Sequence, residues 1–409
     1  MTDKTQTTKI AVLAGTGGML EFYDFILYIL FAHQISNAFF TQIQSPYIKN
    51  LILIAVFSVA YIVRPIGGFL VGWLGDTIGR KKSFSFTILL MGVCVFFMGI
   101  MPTYDQIGLS ATIIFIFLRI VQGLALGGEL PGAIVFVYES VEKRGLALGI
   151  MFAMVFIGFL LGDIMSVVFN YLFSDYAWRV AFISGSFVAF IGYYIRQRLH
   201  ETKLFTSLEE KTKFPLLTLL STQLKAQIGA IFCVTMVAFN GVMVSLYLPN
   251  YLASFFKFSP VTLQTFIIIS AIINVVIIFI SSLLTDYINY KRLYQIVAIF
   301  LVIFSFPAFY LMSLQSVPLL FIGMLVIAII PSVATGIFMR ILCDSFSTDV
   351  RFSGVAIGYN IAFALVGGFA PLTAEILIKN INVIAGPSIV GITCGIISFI
   401  SIFLLKKKY

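Results

Sequence analysis

Residues 63–82 read VRPIGGFLVGWLGDTIGRKK, an apolar run that ends abruptly in an acid, a glycine and three bases. Such a run suits the end of a membrane-crossing helix, and the bases suit the polar surface that follows it. The pattern returns about 210 positions later as TDYINYKR at 285–292, with Asn289 in the place of Gly79. Asn tolerates left-handed backbone geometry better than most residues, so we expect the same tight turn in both copies.

Outward from this stretch, the chain is apolar throughout. Of its 409 residues 60% are hydrophobic and 11% are charged, which excludes an ordinary soluble domain with roughly 25% charged residues. The runs are continuous, unlike the alternating ten-residue segments of an outer-membrane barrel. They predict an all-α membrane protein with twelve transmembrane helices at 10–36, 48–74, 84–101, 109–134, 147–172, 178–197, 226–250, 261–284, 293–313, 318–339, 354–377 and 386–405.

The net charge of +9 encodes topology rather than a nucleic-acid partner, because the bases gather in alternate gaps between spans. One side holds most of them, and the other holds only Lys49, Arg179, Lys257 and Lys379. The positive-inside rule therefore predicts that both termini are cytoplasmic. A short N-terminus runs into the first span without a cleavage signal, so we expect that span to be retained.

Two repeated anchors predict a duplicated architecture. Asp76 corresponds to Asp286, and Arg144 followed by glycine corresponds roughly to Arg351, at nearly the same offset. Transporters are often built from such internal repeats. We expect two pseudo-symmetric six-helix bundles at 1–197 and 226–409, joined by a cytoplasmic linker at 198–225.

Several stretches resemble the major facilitator superfamily, whose loop between spans two and three follows the pattern of GWLGDTIGRK at 72–81, with Thr77 where the family usually has Arg. The stretches listed next are similar to the metabolite:proton symporter family, which carries proline and betaine, α-ketoglutarate, citrate or shikimate. They are LEFYDF at 20–25, RIVQGLALGGELPG at 119–132, WRVAF at 178–182, RQRLHETKLF at 196–205, YLPNYL at 247–252 and RFSGVAIGYNIAFALVGGFAP at 351–371. The resemblance implies the major facilitator fold and proton-coupled import.

Ionisable groups inside a span are costly and point to function. By helical rise, Asp24 lies about 21 Å and Glu21 about 16 Å from the inner end of the first span. Arg119 lies about 15 Å below the outer end of its span, close to the level of Asp24, and Asp163 lies about 24 Å from the inner end of its own. We therefore expect Asp24 to pair with Arg119.

Arg64 and Glu129 form a second predicted pair nearer the cytoplasm. Four acids then face two bases, and desolvation favours the protonated form of a carboxyl group without a partner. We take Asp24, Glu21, Asp163 and Glu129 as proton-coupling candidates. The alternative is that these buried pairs only hold helices together.

The C-terminal half carries no obvious charge at mid-span. Asn240 and Asn274 reach about the central depth, with Tyr247 nearby, and they offer neutral hydrogen-bonding groups. Interhelical hydrogen bonding explains each Asn equally well. The candidates for substrate binding are Arg119, Arg64, Tyr28, Gln122, Asn240, Tyr247 and Asn274.

A cytoplasmic ion-pair gate is predicted next to the repeated loops. It comprises Asp76, Arg80, Glu139, Arg144 and Asp286. The alternative is a solvated cluster flanking the membrane, which accounts better for Lys81 and Lys82 than for the acids.

These features predict a secondary transporter that imports a small carboxylate-bearing or zwitterionic solute with protons by alternating access. Efflux driven by protons, uptake of a larger carboxylate-rich metal chelate, and a channel stay open as alternatives. A membrane-embedded enzyme is disfavoured because the only histidines, His33 and His200, are far apart and show no metal-ligand spacing. We expect no cofactor beyond the proton gradient, no metal, a lipid bilayer environment, a monomer, and the bacterial inner membrane as location.

Overall fold

The computed structural model describes residues 4–43, 45, 48, 52, 55, 56, 59, 60, 62–209, 212–256 and 258–405. The described part is almost entirely helical, as predicted. Most of the first half of the predicted span 48–74 lies outside the described residues. So do the predicted flanking bases Lys49, Lys211, Lys257, Lys406, Lys407 and Lys408.

The chain divides into two compact units. Unit 1 comprises Met1–Val141 and Ile150–Leu216, and unit 2 comprises Glu142–Gly149 and Leu217–Tyr409. The helices that lie mainly in unit 1 are α1 (Lys4–Leu30), α2 (Ala32–Phe39), α3 (Arg64–Thr77), α4 (Arg80–Ile100), α5 (Tyr104–Ile107), α6 (Leu109–Ser140), α7 (Arg144–Phe173), α8 (Ala177–Gln197) and α9 (Lys203–Thr206). The remaining helices are α10 (Pro215–Thr222), α11 (Leu224–Phe239), α12 (Leu248–Phe255), α13 (Pro260–Leu284), α14 (Tyr290–Ser313), α15 (Val317–Ser345), α16 (Arg351–Asn380) and α17 (Ala385–Leu404).

Within the described residues, ten helical stretches are long and apolar enough to cross a membrane. One of them, Arg144–Gln197, contains both α7 and α8, which are separated by the 3₁₀ turn Ser174–Tyr176. α3 has 14 described residues and is shorter than a complete span. The predicted first span is interrupted at Phe31, between α1 and α2.

Close glycine contacts join the helices of unit 1 in pairs. A Cβ on Gly67 of α3 would lie 2.1 Å from the carbonyl oxygen of Leu124 on α6, and one on Gly127 of α6 would lie 2.2 Å from that of Arg64. A Cβ on Gly158 of α7 would likewise lie 2.0 Å from the carbonyl oxygen of Met19 on α1. Because no larger residue fits at these contacts, α3 packs directly on α6, and α1 directly on α7.

The repeated loops turn in two different ways. Gly79 adopts φ 121°, in the region that favours glycine, at the start of α4. Asn289 does not adopt left-handed geometry, so that expectation is wrong: its φ is −72°, and its side chain accepts a hydrogen bond from the Arg292 backbone N–H at 3.1 Å. Asn289 therefore ends the turn as the N-cap of α14, with its side chain bonded to the first turn of that helix.

In unit 2, the helix that follows α10 changes its hydrogen-bonding pattern midway. α11 continues into a π-helical segment, Asn240–Tyr247, and then into α12. Such segments recur at functional sites, because the wider turn moves side chains away from their regular helical positions. Asn240, predicted to bind substrate, opens this segment.

Candidate functional site

Asp24 of α1 and Arg119 of α6 lie together, as their depths predict. Arg119 Nη1 is 3.7 Å from Asp24 Oδ2, and both residues are buried. Gln122 lies between them: its amide donates to Asp24 Oδ2, and its Oε1 accepts from Arg119 Nη1 at 2.8 Å. The ring of Tyr28 stacks on the guanidinium at 3.9 Å. We call these four residues the carboxylate site.

The carboxylate site has hydrogen-bonding capacity that the described residues do not fill. Arg119 Nε and Nη2 and Asp24 Oδ1 are buried and have no hydrogen-bond partner among them. Buried polar atoms are nearly always paired, so unpaired ones at one place call for a ligand or water. Nε and Nη2 form one edge of the guanidinium, which is the geometry that binds a carboxylate through two parallel hydrogen bonds.

Arg64 pairs with Glu21, not with Glu129 as predicted. The two side chains approach to 3.1 Å between Nη2 and Oε1 and are both buried. Depth along the membrane gave Arg64 and Glu129 similar levels, but depth does not specify which way each helix face points. The pairing with Glu129 is therefore corrected to a contact of Arg64 with Glu21, between α3 and α1.

Glu129 is bound instead by Arg196, at the end of α8. Arg196 Nη2 lies 2.7 Å from Glu129 Oε1, Thr87 also donates to this carboxylate, and both charged side chains are fully buried. A Cβ on Gly17 would lie 1.6 Å from Glu129 Oε1, so α1 also closes over the contact. We call Glu129 and Arg196 the lock pair.

Sequence reasoning missed the role of Arg196 because the residue was counted with the cytoplasmic bases. Its position inside the predicted span 178–197 was the available signal. The tally of four acids against two bases was therefore wrong, since three bases pair with three of those acids.

Asp163 is the remaining acid. Its side chain is exposed and makes no ion pair or hydrogen bond with a described residue, although its backbone carbonyl accepts from Ser166 at 2.8 Å. Asp163 and Asp24 are thus predicted at similar depths, but the structure shows no bond between their side chains. Asp163 has no base in the described part of the chain to neutralise it.

Of the predicted gate residues, three form one buried cluster in unit 1. Arg80 Nη1 lies 2.7 Å from Asp76 Oδ1, and Arg80 Nε lies 3.3 Å from Glu139 Oε2. Thr202, from the predicted linker, donates to the same Glu139 oxygen at 2.7 Å, and the Glu201 carboxylate accepts from the Lys81 backbone N–H. The beginning of the predicted linker is therefore packed against unit 1.

The other two gate residues lie in unit 2. Asp286 accepts from the backbone N–H groups of Gly145 and Leu146 at 2.9 and 3.1 Å, and pairs with Arg340 at 2.6 Å. Arg144 lies 3.8 Å from Asp344. The single predicted gate is thus corrected to two clusters, because the first turn of α7 belongs with unit 2.

A neutral network occupies the interior of unit 2. Asn240 Nδ2 donates to Ser332 and Thr335 hydroxyls at 3.2 Å each, and Ser332 donates to Asn274 Oδ1 at 2.6 Å. All four residues are buried. Asn240 Oδ1 has no hydrogen-bond partner among the described residues. We call this set the amide network.

Tyr247 lies apart from the amide network's contacts. Its hydroxyl donates to Glu375 at 2.7 Å, and its ring stacks on Tyr251 with centroids 5.9 Å apart. The sequence prediction grouped Tyr247 with the two Asn residues, but the structure ties it to α16 at the far end of the π-helical segment.

Known proteins resemble the chain over nearly its full length. A model of the Major Facilitator Superfamily matches residues 16–371. A putative proline/betaine transporter of Staphylococcus haemolyticus is 29% identical, over 98% of this chain and 88% of the relative. A proline/betaine transporter of Escherichia coli K12 is 28% identical, over 99% of this chain and 84% of the relative.

Solved structures show the same fold. The proton:xylose symporter XylE bound to 6-bromo-6-deoxy-D-glucose superposes with a TM-score of 0.78 at 18% identity, covering 98% of this chain and 95% of XylE. The human organic anion transporter MFSD10 gives 0.71 at 14% identity, covering 98% and 99%. The interpretation as a multi-pass transporter rather than an enzyme is therefore confirmed, and the chain belongs to the major facilitator superfamily.

Proposed function

We propose that this protein imports a small zwitterion or carboxylate together with protons across the bacterial inner membrane. The relatives named as proline/betaine transporters favour solutes of that class, in which a carboxylate accompanies a cationic nitrogen. The observation that carries the proposal is the unfilled guanidinium edge of Arg119 beside Asp24.

The coupling follows from competition for one base. In the structure, Asp24 is neutralised by Arg119 and accepts a hydrogen bond from Gln122. A solute carboxylate that binds Arg119 Nε and Nη2 satisfies the guanidinium and leaves Asp24 without its own counter-charge. A buried carboxyl group without a counter-charge takes up a proton, so solute and proton bind together.

The other acids have different roles in this scheme. Both Glu129 oxygens of the lock pair accept hydrogen bonds, and the pair holds α6, α8 and α1 together. Glu21 is neutralised by Arg64, whereas Asp163 has no such partner and is the second candidate proton carrier. Within unit 2, Asn240 Oδ1 of the amide network has no partner among the described residues and remains the neutral candidate for accepting a hydrogen bond from a solute.

We propose the architecture that the sequence predicts. It has twelve transmembrane helices, both termini in the cytoplasm, and two bundles at 1–197 and 226–409 joined by the linker 198–225. The two clusters at Asp76 and Asp286 act as the cytoplasmic gate. The carrier works as a monomer by alternating access and uses no cofactor other than the proton gradient.

Purified protein in proteoliposomes tests the proposal. Labelled proline, betaine and organic acids are offered with and without an inward proton gradient, after a thermal-shift screen has ranked them. We expect saturable, gradient-driven accumulation of at least one carboxylate-bearing solute that a protonophore abolishes. Uptake unaffected by the protonophore, or gradient-driven extrusion, contradicts proton-coupled import.

A further inference from the structure

An apolar groove opens on the surface of unit 1 between α3, α4 and α6, with a volume of about 260 Å³. Its walls include Leu70 and Trp73 of α3 and Phe86 of α4, which are 43%, 41% and 49% exposed. Thr87 also lines the groove, but its hydroxyl donates to Glu129 and leaves the surface apolar. The carboxylate site uses none of these residues.

Two lysines lie at the cytoplasmic end of this groove. Lys82 is exposed and precedes Phe86 by four residues on α4, so the two share one helix face. It makes no hydrogen bond or ion pair with any residue that the structure describes. On the opposite wall, Trp73 Nε1 donates to the backbone carbonyl of Lys213 at 3.2 Å, which brings a second exposed lysine to the same end.

We propose that the groove binds an acyl chain of an anionic phospholipid from the inner leaflet, with its phosphate held between Lys82 and Lys213. Basic positions beside transmembrane helices on the cytoplasmic side recognise anionic headgroups, and an indole at the interface suits the boundary between chain and headgroup. The groove's volume of about 260 Å³ is less than one turn of a helix about 10–12 Å across would fill, but it accommodates part of a flexible hydrocarbon chain.

The bound lipid stabilises the α3–α6 contact. The floor of the groove includes Gly67 and Leu124, whose close approach joins these helices. A chain lying over this contact covers apolar surface on α3, α4 and α6 at once. The arrangement of these three helices therefore depends on lipid composition.

Tryptophan fluorescence provides the test, because the chain has only two tryptophans. Trp178 is 3% exposed and packs against Phe39 and Phe182, so Trp178→Phe leaves Trp73 as a reporter in the groove. The full-length variant is reconstituted in phosphatidylcholine vesicles that contain acyl-brominated phosphatidylglycerol or acyl-brominated phosphatidylcholine. We expect several-fold stronger quenching by the anionic lipid at equal mole fraction.

Matched substitutions locate the site. Lys82→Gln and Lys213→Gln each lower the preference for the anionic lipid about fivefold, whereas Lys225→Gln, an equally exposed change at the start of α11, leaves it unchanged. Leu70→Phe fills the groove from its exposed side and lowers quenching by both lipids. Equal quenching by the two lipids, a preference retained in the double lysine variant, or quenching unchanged by Leu70→Phe overturns the proposal.

Discussion

The two units bury polar groups of different kinds. Besides the Asp76–Arg80–Glu139 cluster at its helix ends, unit 1 buries three acid–base pairs, formed by Asp24, Glu21 and Glu129 with their arginines. Unit 2 buries the amide network, and its ion pairs with Asp286 and Asp344 lie at the helix ends. Carboxylates exchange protons, whereas amides and hydroxyls do not titrate in the physiological range. Proton chemistry is thus expected from unit 1 and neutral recognition from unit 2.

A second contrast lies within unit 1. The lock pair has every carboxylate oxygen bonded, whereas the carboxylate site leaves an oxygen and two nitrogens without partners. A carboxylate with both oxygens bonded serves structure, whereas an unpaired guanidinium edge beside a carboxylate has capacity for a ligand. Buried charge alone therefore does not distinguish the two roles, and the unpaired Nε and Nη2 of Arg119 set the carboxylate site apart from the lock pair.

The strongest test of the contrast is Asp24→Asn. The amide cannot exchange the coupled proton, so we expect complete loss of gradient-driven accumulation while solute counterflow between equal pH compartments continues. Uptake and counterflow are measured on the same proteoliposomes. Asp105→Asn, at an exposed acid, is the control and should keep full accumulation. Uphill transport by Asp24→Asn would rule out an essential proton role for this residue.

Breaking the lock pair should reduce stability rather than coupling. Glu129→Gln leaves Arg196 buried and uncompensated, which costs about 3–5 kcal/mol of unfolding free energy. The double variant Glu129→Gln/Arg196→Gln should recover part of that loss. Thermal unfolding in detergent measures both. If Glu129→Gln unfolds at the wild-type temperature but no longer transports, the structural role is contradicted and Glu129 is again a candidate proton carrier.

Arg119→Lys should weaken solute binding while the protein stays folded. Lysine keeps the charge but lacks the planar edge and the stacking on Tyr28. Losing charged hydrogen bonds worth about 1.5–3 kcal/mol corresponds to roughly a 10- to 150-fold higher solute concentration at half-maximal uptake. Initial rates across a solute series give this value. Arg179→Lys, at an arginine that donates to the backbone carbonyls of Gly99 and Met101 and lies over the Trp178 ring, is the matched control.

The smallest expected effect belongs to unit 2. Asn240→Ala removes one neutral contact worth about 0.5–1.5 kcal/mol, so apparent affinity should fall roughly 2- to 12-fold. The ratio of protons to solute should not change, because no titrating group is altered. Simultaneous pH and solute flux measurements determine that ratio. A changed ratio of protons to solute in Asn240→Ala would contradict the assignment of proton coupling to unit 1 and neutral recognition to unit 2.

Much of the site was predictable because helical rise converts sequence position into depth. That arithmetic brought Asp24 to the level of Arg119, and it placed Asn240 and Asn274 close enough in depth for Ser332 to bridge them. The helix limits also agree within a few residues for α8, because hydrophobic runs end where the chain meets water.

The sequence did not predict which face each helix turns toward its neighbours, or how far a long side chain extends from its helix. The prediction paired Arg64 with Glu129 and did not weigh Glu21, whose depth of about 16 Å is close to the roughly 15 Å of Arg64. Arg196 escaped notice because a long side chain near a helix end can fold inward to a buried acid. The π-helical segment at 240–247 carries no distinctive composition that separates it from ordinary helix.

The glycine contacts of unit 1 have a consequence for how charge is layered. The α1–α7 pair carries Glu21, Asp24 and Asp163, whereas the α3–α6 pair carries the bases Arg64 and Arg119 and an acid already satisfied by α8. Two ion pairs, Glu21 with Arg64 and Asp24 with Arg119, therefore join the acids of one glycine-packed helix pair to the bases of the other. Under the proposed coupling, protonation of Asp24 removes one of these two attractions, so the uptake of solute and proton would also weaken the hold of α1–α7 on α3–α6.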